Sequence, residues 1–300
     1  MADGKDGYDY KALEADISRL KDAYPFLDIV AAGKSVLGRN IYCIKLGYGP
    51  SEVFYNGAHH SNEWITSMLL MQFARNFMRA YSEGLRMRGY DTVNIFEKCS
   101  IFVMPMVNPD GVDFVINGPD SGISGFNLPV DISGDRNQWK ANIRGVDLNL
   151  NYPAGWDRAK AYEKLFKAVG PSPSRHAGPN PLSEPESRAV AEFTGSHDFK
   201  IVIAYHTQGK EIYWRYQDFD PPRSRAIANL FSSASTYGLS ETIPEDSFAG
   251  FKDWFIMRFN RPGFTIEAGY GKNPLPVSQL PDIYDDNEEI MLMTPLLGLY

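Results

Sequence analysis

A histidine and a glutamate stand three residues apart where an apolar run ends, in the segment NGAHHSNEW at residues 56–64. The spacing of His60 and Glu63 places an imidazole and a carboxylate on the same side of a first helical turn. An ion that accepts both nitrogen and oxygen ligands at about 2.0–2.2 Å is zinc. Such a pair also occurs by chance, so it needs a third ligand. For the adjacent His59 we expect a packing or supporting role.

A third candidate ligand ends a second apolar run, IVIAYH, at His206. Three protein ligands with an open fourth position are typical of a catalytic zinc site, whereas structural zinc sites are closed. An ordinary buried histidine is the alternative reading of His206. The loop histidine His176 and the helix-end histidine His197 are expected to be solvated.

A carboxylate closes a third apolar run, FTIEAGYG, at Glu267. Placing a charge at the end of a buried strand is costly unless the charge has a partner or a task. A carboxylate beside a metal site can act as the general base that accepts a proton from water. Without the metal ligands, an ion-paired glutamate would be the default interpretation.

These residues sit in a pattern of strands that alternate with helices, which predicts an α/β sheet covered on both faces. In such sheets ligands bind beyond the carboxyl ends of the strands. Helices are predicted before Pro25, from about Glu63, after a capping box formed by Ser183 and Glu186, before Gly238, and from about Pro281. The segment from about Asn108 to Pro181 is rich in Gly, Pro, Asn and Asp and is predicted to form long functional loops. No internal repeat is visible, so residues 1–300 are expected to form one domain.

The composition excludes several classes of protein. The formal net charge of the 300 residues is −7, which argues against nucleic-acid binding. No run is long and apolar enough to span a membrane, and the polar start lacks a signal-peptide core. A soluble, cytoplasmic protein is therefore favoured, although the compartment stays open. The two cysteines, Cys43 and Cys99, lie in strand-like runs and are expected to be buried free thiols.

Six spaced motifs resemble, in order, the zinc carboxypeptidase (M14) family. They are GAHHSNEW, NPDGVDF, IRGVDLNLNYP, IVIAYHTQGKEIYW, FKDWF and FTIEAGYGKNPLP. The resemblance implies a single-domain α/β fold with a mixed, mostly parallel, twisted sheet and helices on both faces. It also implies one zinc ion per chain, with His60, Glu63 and His206 as ligands and Glu267 as the general base.

The resemblance assigns further roles and exposes departures. Asp147 matches an aspartate that hydrogen-bonds a ligand histidine, and Asn149 matches an asparagine that holds a substrate carboxylate. The family's carboxylate-clamping arginine falls on Leu150, which cannot make a bidentate contact. The family's oxyanion-stabilising arginine falls on Lys140, with Arg144 as a second candidate.

Two further departures concern the substrate. The family has a tyrosine shortly before FKDWF, and Glu245 occupies the corresponding position. Arg215 or Lys210 could replace part of the missing carboxylate clamp.

These departures resemble a bacterial branch of the family, the γ-D-glutamyl-L-diamino acid endopeptidase I group. That branch implies hydrolysis of the γ-D-glutamyl–meso-diaminopimelate bond in cell-wall peptides, so a peptide or muropeptide is the expected partner. The alternatives are a conventional metallocarboxypeptidase, a zinc deacylase or amidase on small acylated amino acids, and a non-catalytic zinc or peptidoglycan-binding module. The last is disfavoured because a pure binder does not need Glu267.

Overall fold

The structure, a computed structural model, describes residues 7–118, 121, 135–165, 169–240 and 248–300. The strands of its main sheet are β1 (Asp28–Lys34), β2 (Asn40–Leu46), β3 (Ser51–Gly57), β6 (Cys99–Met104), β7 (Ile201–His206), β8 (Glu211–Tyr213), β9 (Gly238–Ser240) and β10 (Gly263–Glu267). They lie in the order β1-β2-β6-β3-β7-β10-β8-β9. A separate small hairpin is formed by β4 (Arg86–Met87) and β5 (Tyr90–Asp91).

The centre of the sheet is parallel and its flanks are partly antiparallel. β6, β3, β7 and β10 run parallel, while β2 is antiparallel to both β1 and β6, and β8 is antiparallel to β10. Every residue of β6 and β7 is buried. These strands are continuous apolar runs because both of their faces are covered. The predicted mixed, mostly parallel α/β fold is therefore confirmed.

Helices pack on both faces of the sheet and create two cores. The helices are α1 (Tyr10–Ala23), α2 (Ile65–Ser82), α3 (Thr92–Lys98), α4 (Pro109–Asn117), α5 (Trp156–Tyr162), α6 (Pro185–Gly195), α7 (Ser224–Ser235), α8 (Phe251–Phe259) and α9 (Leu280–Leu297). The core on one face includes apolar residues of α1, α2, α7 and α9. The core on the other face includes those of α6 and α8.

The N-terminal turn of α6 differs from the prediction. The predicted capping box made Ser183 the N-cap and Glu186 its partner, but the helix is capped by Glu184 and starts at Pro185, without a side-chain cap hydrogen bond. Glu186 is buried, and its carboxylate accepts a hydrogen bond from the Val36 N–H at 3.0 Å. The Glu186 side chain thus bonds to the turn between β1 and β2 instead of capping the start of its own helix.

Two other predicted boundaries also differ from those in the structure. Helix α7 ends at Ser235 with Thr236 as its C-cap, and Gly238 instead begins β9. The segment predicted as long loops contains α4 and α5. Helix α4 starts there because the Asn108 side chain accepts a hydrogen bond from the Gly111 N–H and Pro109 occupies the first turn.

Both cysteines are buried and neither forms a disulfide. Among the described residues, no helix is long and apolar enough to cross a membrane.

Candidate metal and catalytic site

The parallel strands bring three chemical groups to one edge of the sheet. In the registers of β3, β7 and β10, Gly57 lies beside Tyr205 and Glu267 lies beside His206. Neighbouring strands are about 4.8 Å apart, so the main chains that carry His206 and Glu267 are in direct contact. The chain leaving β3 reaches the same edge with His60.

A short 3₁₀ turn, rather than the first turn of α2, holds His60 and Glu63. The turn covers Ser61–Glu63 with His60 as its N-cap, and α2 begins at Ile65. Thr66 Oγ1 fastens the turn, because it accepts a hydrogen bond from the Ala58 N–H at 2.8 Å and donates one to the Glu63 carbonyl at 2.7 Å. The chain therefore turns sharply after β3 and keeps both side chains on one side.

The side chains of His60, Glu63 and His206 converge on one point. His60 Nδ1 lies 2.9 Å from Glu63 Oε1, His206 Nδ1 lies 3.0 Å from Glu63 Oε2, and the two Nδ1 atoms are 3.2 Å apart. Three such donor atoms around one point could hold a metal ion. All three side chains are largely buried.

Asp147 fixes the orientation of the His60 ring. His60 Nε2 lies 3.1 Å from Asp147 Oδ1, while Asp147 Oδ2 accepts a hydrogen bond from the Arg175 N–H at 3.1 Å. Burial disfavours an ionised Asp147, but His60 outweighs burial and, with the Arg175 N–H, holds the pKa of Asp147 below its ordinary value. The anionic carboxylate accepts the Nε2 proton, which leaves a lone pair on His60 Nδ1 for a metal.

The arrangement fits zinc. Ligands about 2.1 Å from a tetrahedral zinc ion lie roughly 3.4 Å from one another, close to the separations of these donor atoms. Two imidazole nitrogens and a carboxylate are also a donor set that zinc prefers. The assignment of His60, Glu63 and His206 as ligands stays a prediction at the level of the individual residues.

The remaining histidines of this region pack inside the protein. His59 is fully buried, and its Nε2 lies 2.9 Å from the Tyr152 hydroxyl, as expected for a packing residue. His176 was predicted to be solvated, which is wrong. It is buried, with its Nδ1 3.1 Å from Glu163 Oε1, and its carbonyl accepts the Asp147 N–H at 2.8 Å. His176 therefore supports the segment that carries Asp147.

Glu267 is partly exposed at the end of β10 and lines the same cavity as His60. Burial of the carboxylate, and secondarily the Glu63 carboxylate, raises the pKa of Glu267 to about 8. The positive charge of Lys140 opposes this shift. A raised pKa beside the proposed metal ligands is a property expected of a proton-transfer residue.

Lys140 and Arg144 differ in their relation to the site. Lys140 Nζ lies 3.5 Å from Glu63 Oε1, and Lys140 lines the space in front of Glu267. Burial disfavours its charge, but the carboxylates of Glu63 and Asp147 outweigh burial and raise the pKa of Lys140. Arg144 instead points to Glu184, with 3.7 Å between Nη1 and Oε2, and is absent from the lining of the neighbouring cavities.

Two cavities meet at Lys140, Tyr213 and Glu267, which line both. The first, of about 380 Å³, extends past His60 and Asn149 to the first turn of α8. The second, of about 540 Å³, is bordered by the amide side chains of Asn62 and Asn273. A substrate can therefore extend to either side of Glu267.

Of the predicted substrate-binding residues, only some reach these cavities. Asn149 and Leu150 line the first cavity. Arg215 is absent from both linings and donates a hydrogen bond to the Gln217 carbonyl, and Lys210 forms an ion pair with Asp286. Glu245 lies outside the described residues.

Sequence reasoning missed three charged residues of the first cavity, Arg175, Lys252 and Asp253. Lys252 and Asp253 are each only 4% exposed. The available signal was the pair of opposite charges inside the otherwise apolar segment GFKDWF.

Comparison with known proteins identifies the family. A match to the zinc carboxypeptidase family, Peptidase M14, covers residues 13–290. The chain belongs to this family. The match confirms the predicted resemblance and, together with the His-Glu-His cluster, zinc as the metal. The chain is thus a zinc metallopeptidase.

Individual relatives refine the comparison. The chain is 39% identical, over its whole length and 74% of the relative's length, to γ-D-glutamyl-L-diamino acid endopeptidase 1 of Lysinibacillus sphaericus. It is 25% identical to carboxypeptidase B of Bos taurus, over 90% of this chain and 64% of the relative. The crystal structure of thrombin activatable fibrinolysis inhibitor shares the fold, with a TM-score of 0.76 at 18% identity over 97% of this chain and 74% of that one.

Proposed function

We propose that this metallopeptidase hydrolyses the amide bond between γ-D-glutamate and meso-diaminopimelate in bacterial cell-wall peptides. The observation that carries the proposal is Leu150, which lines the first cavity beside Asn149. A leucine cannot clamp the free C-terminal carboxylate that a conventional carboxypeptidase recognises. The similarity to an endopeptidase whose name states this bond supports the same substrate.

The shape of the site also supports an enzyme that accepts substituents on both sides of the scissile bond. Glu267 and Lys140 lie where the two cavities meet, so the acyl part and the amine part of a peptide have separate spaces. Both spaces lie within the range usual for small-ligand sites, about 300–1,000 Å³.

Each side chain of the site has a separate role in the proposed reaction. Zinc held by His60, Glu63 and His206 would supply a Lewis acid that polarises the scissile carbonyl and makes a water acidic. Glu267 accepts a proton from the attacking water and donates it to the departing amine nitrogen. The Lys140 ammonium stabilises the negative charge that develops on the carbonyl oxygen. Asp147 keeps the His60 ring in the required tautomer.

The test compares kcat/KM for two substrate types in one zinc-loaded preparation. One is L-Ala-γ-D-Glu-meso-diaminopimelate, and the other is a set of blocked dipeptides with a free C-terminal Phe, Leu, Arg or Lys. We expect hydrolysis of the first and little release of C-terminal residues from the second. The value of kcat/KM should be about 10- to 150-fold lower for the dipeptides, the effect of one lost charge-assisted contact.

The Glu267→Gln variant shows whether the activity belongs to this site. It should keep zinc and lose about 10²–10⁴-fold in turnover. Efficient release of ordinary C-terminal residues, with the diaminopimelate peptide intact, would contradict the proposal and favour a conventional carboxypeptidase. Cleavage of small acylated amino acids alone would favour the deacylase alternative.

A further inference from the structure

The Glu63 carboxylate contacts two N–H groups in addition to the two histidines. Its Oε1 lies 3.3 Å from Asn273 Nδ2, and its Oε2 lies 3.3 Å from the Thr207 main-chain nitrogen. An ionised carboxylate has about four lone-pair sites, so N–H groups can hold it while it also binds a metal ion. The main chain fixes the Thr207 N–H at the end of β7, whereas the Asn273 side chain depends on its own partners.

Those partners determine the orientation of the Asn273 amide. Its Nδ2 also donates a hydrogen bond to the Thr207 carbonyl at 3.0 Å, and its Oδ1 accepts one from Thr207 Oγ1 at 2.8 Å. An amide NH₂ group has two N–H donors, and the Thr207 carbonyl and the Glu63 carboxylate can only accept. Because Thr207 is 3% exposed, it is a fixed support that keeps the amide against Glu63.

A connection between two loops is the alternative role for this amide. The segments after β7 and β10 are already joined elsewhere. The Gly209 N–H donates a hydrogen bond to the Gly269 carbonyl at 3.0 Å, and the Gly271 N–H donates one to Gln208 Oε1 at 3.2 Å. Holding the loops together therefore does not require an amide that also reaches a candidate metal ligand.

The amide is also a neutral donor at an oxygen that a cation approaches. Lys140 Nζ lies 3.5 Å from the same Glu63 Oε1. A charge-assisted hydrogen bond is stronger than a neutral one, so a carboxylate that lacked the amide would attract the lysine more closely. With Asn273 in place, Oε1 has a donor and the Lys140 charge stays available for the substrate oxygen.

We propose that Asn273 is a positioning residue for the metal, which holds Glu63 in its zinc-binding orientation and is itself held by Thr207. The two residues would thus link the candidate ligands Glu63 and His206, since Thr207 directly follows His206. The inference rests on the zinc site of the proposed function and is independent of the choice of substrate.

Competition of the zinc-loaded protein with a chelator of known affinity tests the inference without turnover. Asn273→Ala should bind zinc about 10–100-fold more weakly, the usual effect of removing a group that orients a metal ligand. Asn76→Ala is the matched control, because Asn76 is also half-buried and its amide donates a hydrogen bond to the Tyr284 hydroxyl at 2.9 Å, away from both cavities. It should keep the zinc affinity of the wild type.

Two substitutions of Thr207 test the support of the amide. Thr207→Val keeps the shape of the side chain and the N–H that contacts Glu63, but it removes the hydroxyl that holds Asn273 Oδ1. It should weaken zinc binding, whereas Thr207→Ser, which keeps the hydroxyl, should bind zinc as the wild type does.

Cobalt provides a second measurement. Co²⁺ accepts the same nitrogen and oxygen ligands, and its visible absorption depends on their geometry. The spectrum of the cobalt-loaded protein should change in Asn273→Ala and Thr207→Val and stay the same in Thr207→Ser. A purely structural role of the amide would not produce this pattern.

The outcomes separate this inference from the proposed function. Unchanged zinc affinity and cobalt spectrum in Asn273→Ala, or a loss confined to the free energy of unfolding of the metal-free protein, would overturn the inference. Should Asn273→Ala fail to fold, the comparison of Thr207→Val with Thr207→Ser decides in the same assays. A protein that shows the expected zinc affinities but cleaves no γ-D-glutamyl peptide would retain the inference and overturn the proposed function.

Discussion

Lys140 and Arg144 are four residues apart in the chain, but only Lys140 lies in front of Glu267. We predict that Lys140→Met lowers kcat by about 10²–10³-fold, the usual cost of removing one oxyanion donor. Arg144→Met should stay close to the wild type. The measurement is kcat on the diaminopimelate peptide, with zinc content determined for both variants. A larger loss in Arg144→Met would assign the oxyanion contact to Arg144.

We propose that Asp147 acts on the metal through its contact with His60, so its effect should appear in zinc affinity as well as in activity. We predict that Asp147→Asn weakens zinc binding about 10–100-fold, because a neutral amide orients and polarises the imidazole less strongly. Competition with a chelator of known affinity measures the change. Asp157→Asn, an exposed change on α5, is the control. Equal zinc affinity in both variants would mean that Asp147 has no such role.

Single site residues could be predicted from the sequence where neighbouring residues in the chain identified them. His60 and Glu63 are three residues apart, and His206 and Glu267 each end an apolar strand, so the strand pattern placed all four at one edge. Lys252 and Asp253 were missed because they line a cavity whose other walls come from distant segments. Adjacent opposite charges on a helix ordinarily indicate only a local ion pair.

Among the secondary-structure elements, α6 is joined to the turn after β1 through Glu186, which is fully buried. Burial is the main cause that raises the pKa of Glu186 from 4.5 to about 7, although the Val36 N–H opposes it. The folded protein therefore holds this proton more tightly than the unfolded chain. The contribution to the free energy of unfolding is largest below pH 4.5 and falls as the pH rises to about 7.

We predict that Glu186→Gln removes this part of the pH dependence. The stability difference between wild type and variant should favour the wild type more at pH 5 than at pH 8, by about 1–3 kcal/mol. Denaturant unfolding at the two pH values measures the difference. Glu192→Gln, an exposed change on the same helix, should show no such change with pH. Parallel behaviour of the two variants would exclude Glu186 as the source.

The same contact explains why one helix boundary was wrong. Ser183 and Glu186 have the spacing of a capping box, but the Glu186 carboxylate is used by a backbone N–H from another part of the chain. Helices whose boundaries depend on local signals were predicted better. α1 ends at Ala23, before Pro25, and α9 begins at Leu280 with Pro281 in its first turn.

For the molecule as a whole, the reactivity of the two buried cysteines shows whether the cores on both faces of the sheet are folded. Cys43 belongs to the core that includes α6 and α8, and Cys99 belongs to the opposite core. We predict that neither thiol reacts in the folded protein and that two react in denaturant without added reductant. Burial, which raises the pKa of both thiols, suppresses the reactive thiolate. A thiol-specific chromogenic reagent gives the counts, and fewer than two in denaturant would indicate a disulfide.

The register of β3, β7 and β10 also bears on how this chain could be retargeted. Main-chain hydrogen bonds between β7 and β10 fix the spacing of the proposed base Glu267 and the proposed ligand His206, whereas residues 250–253 belong to the start of a helix. The proposed reacting groups and the cavity lining at the start of α8 thus lie in separate segments. A combinatorial library confined to residues 250–253 could therefore search for enzymes that cut other amides while the reacting groups keep their positions.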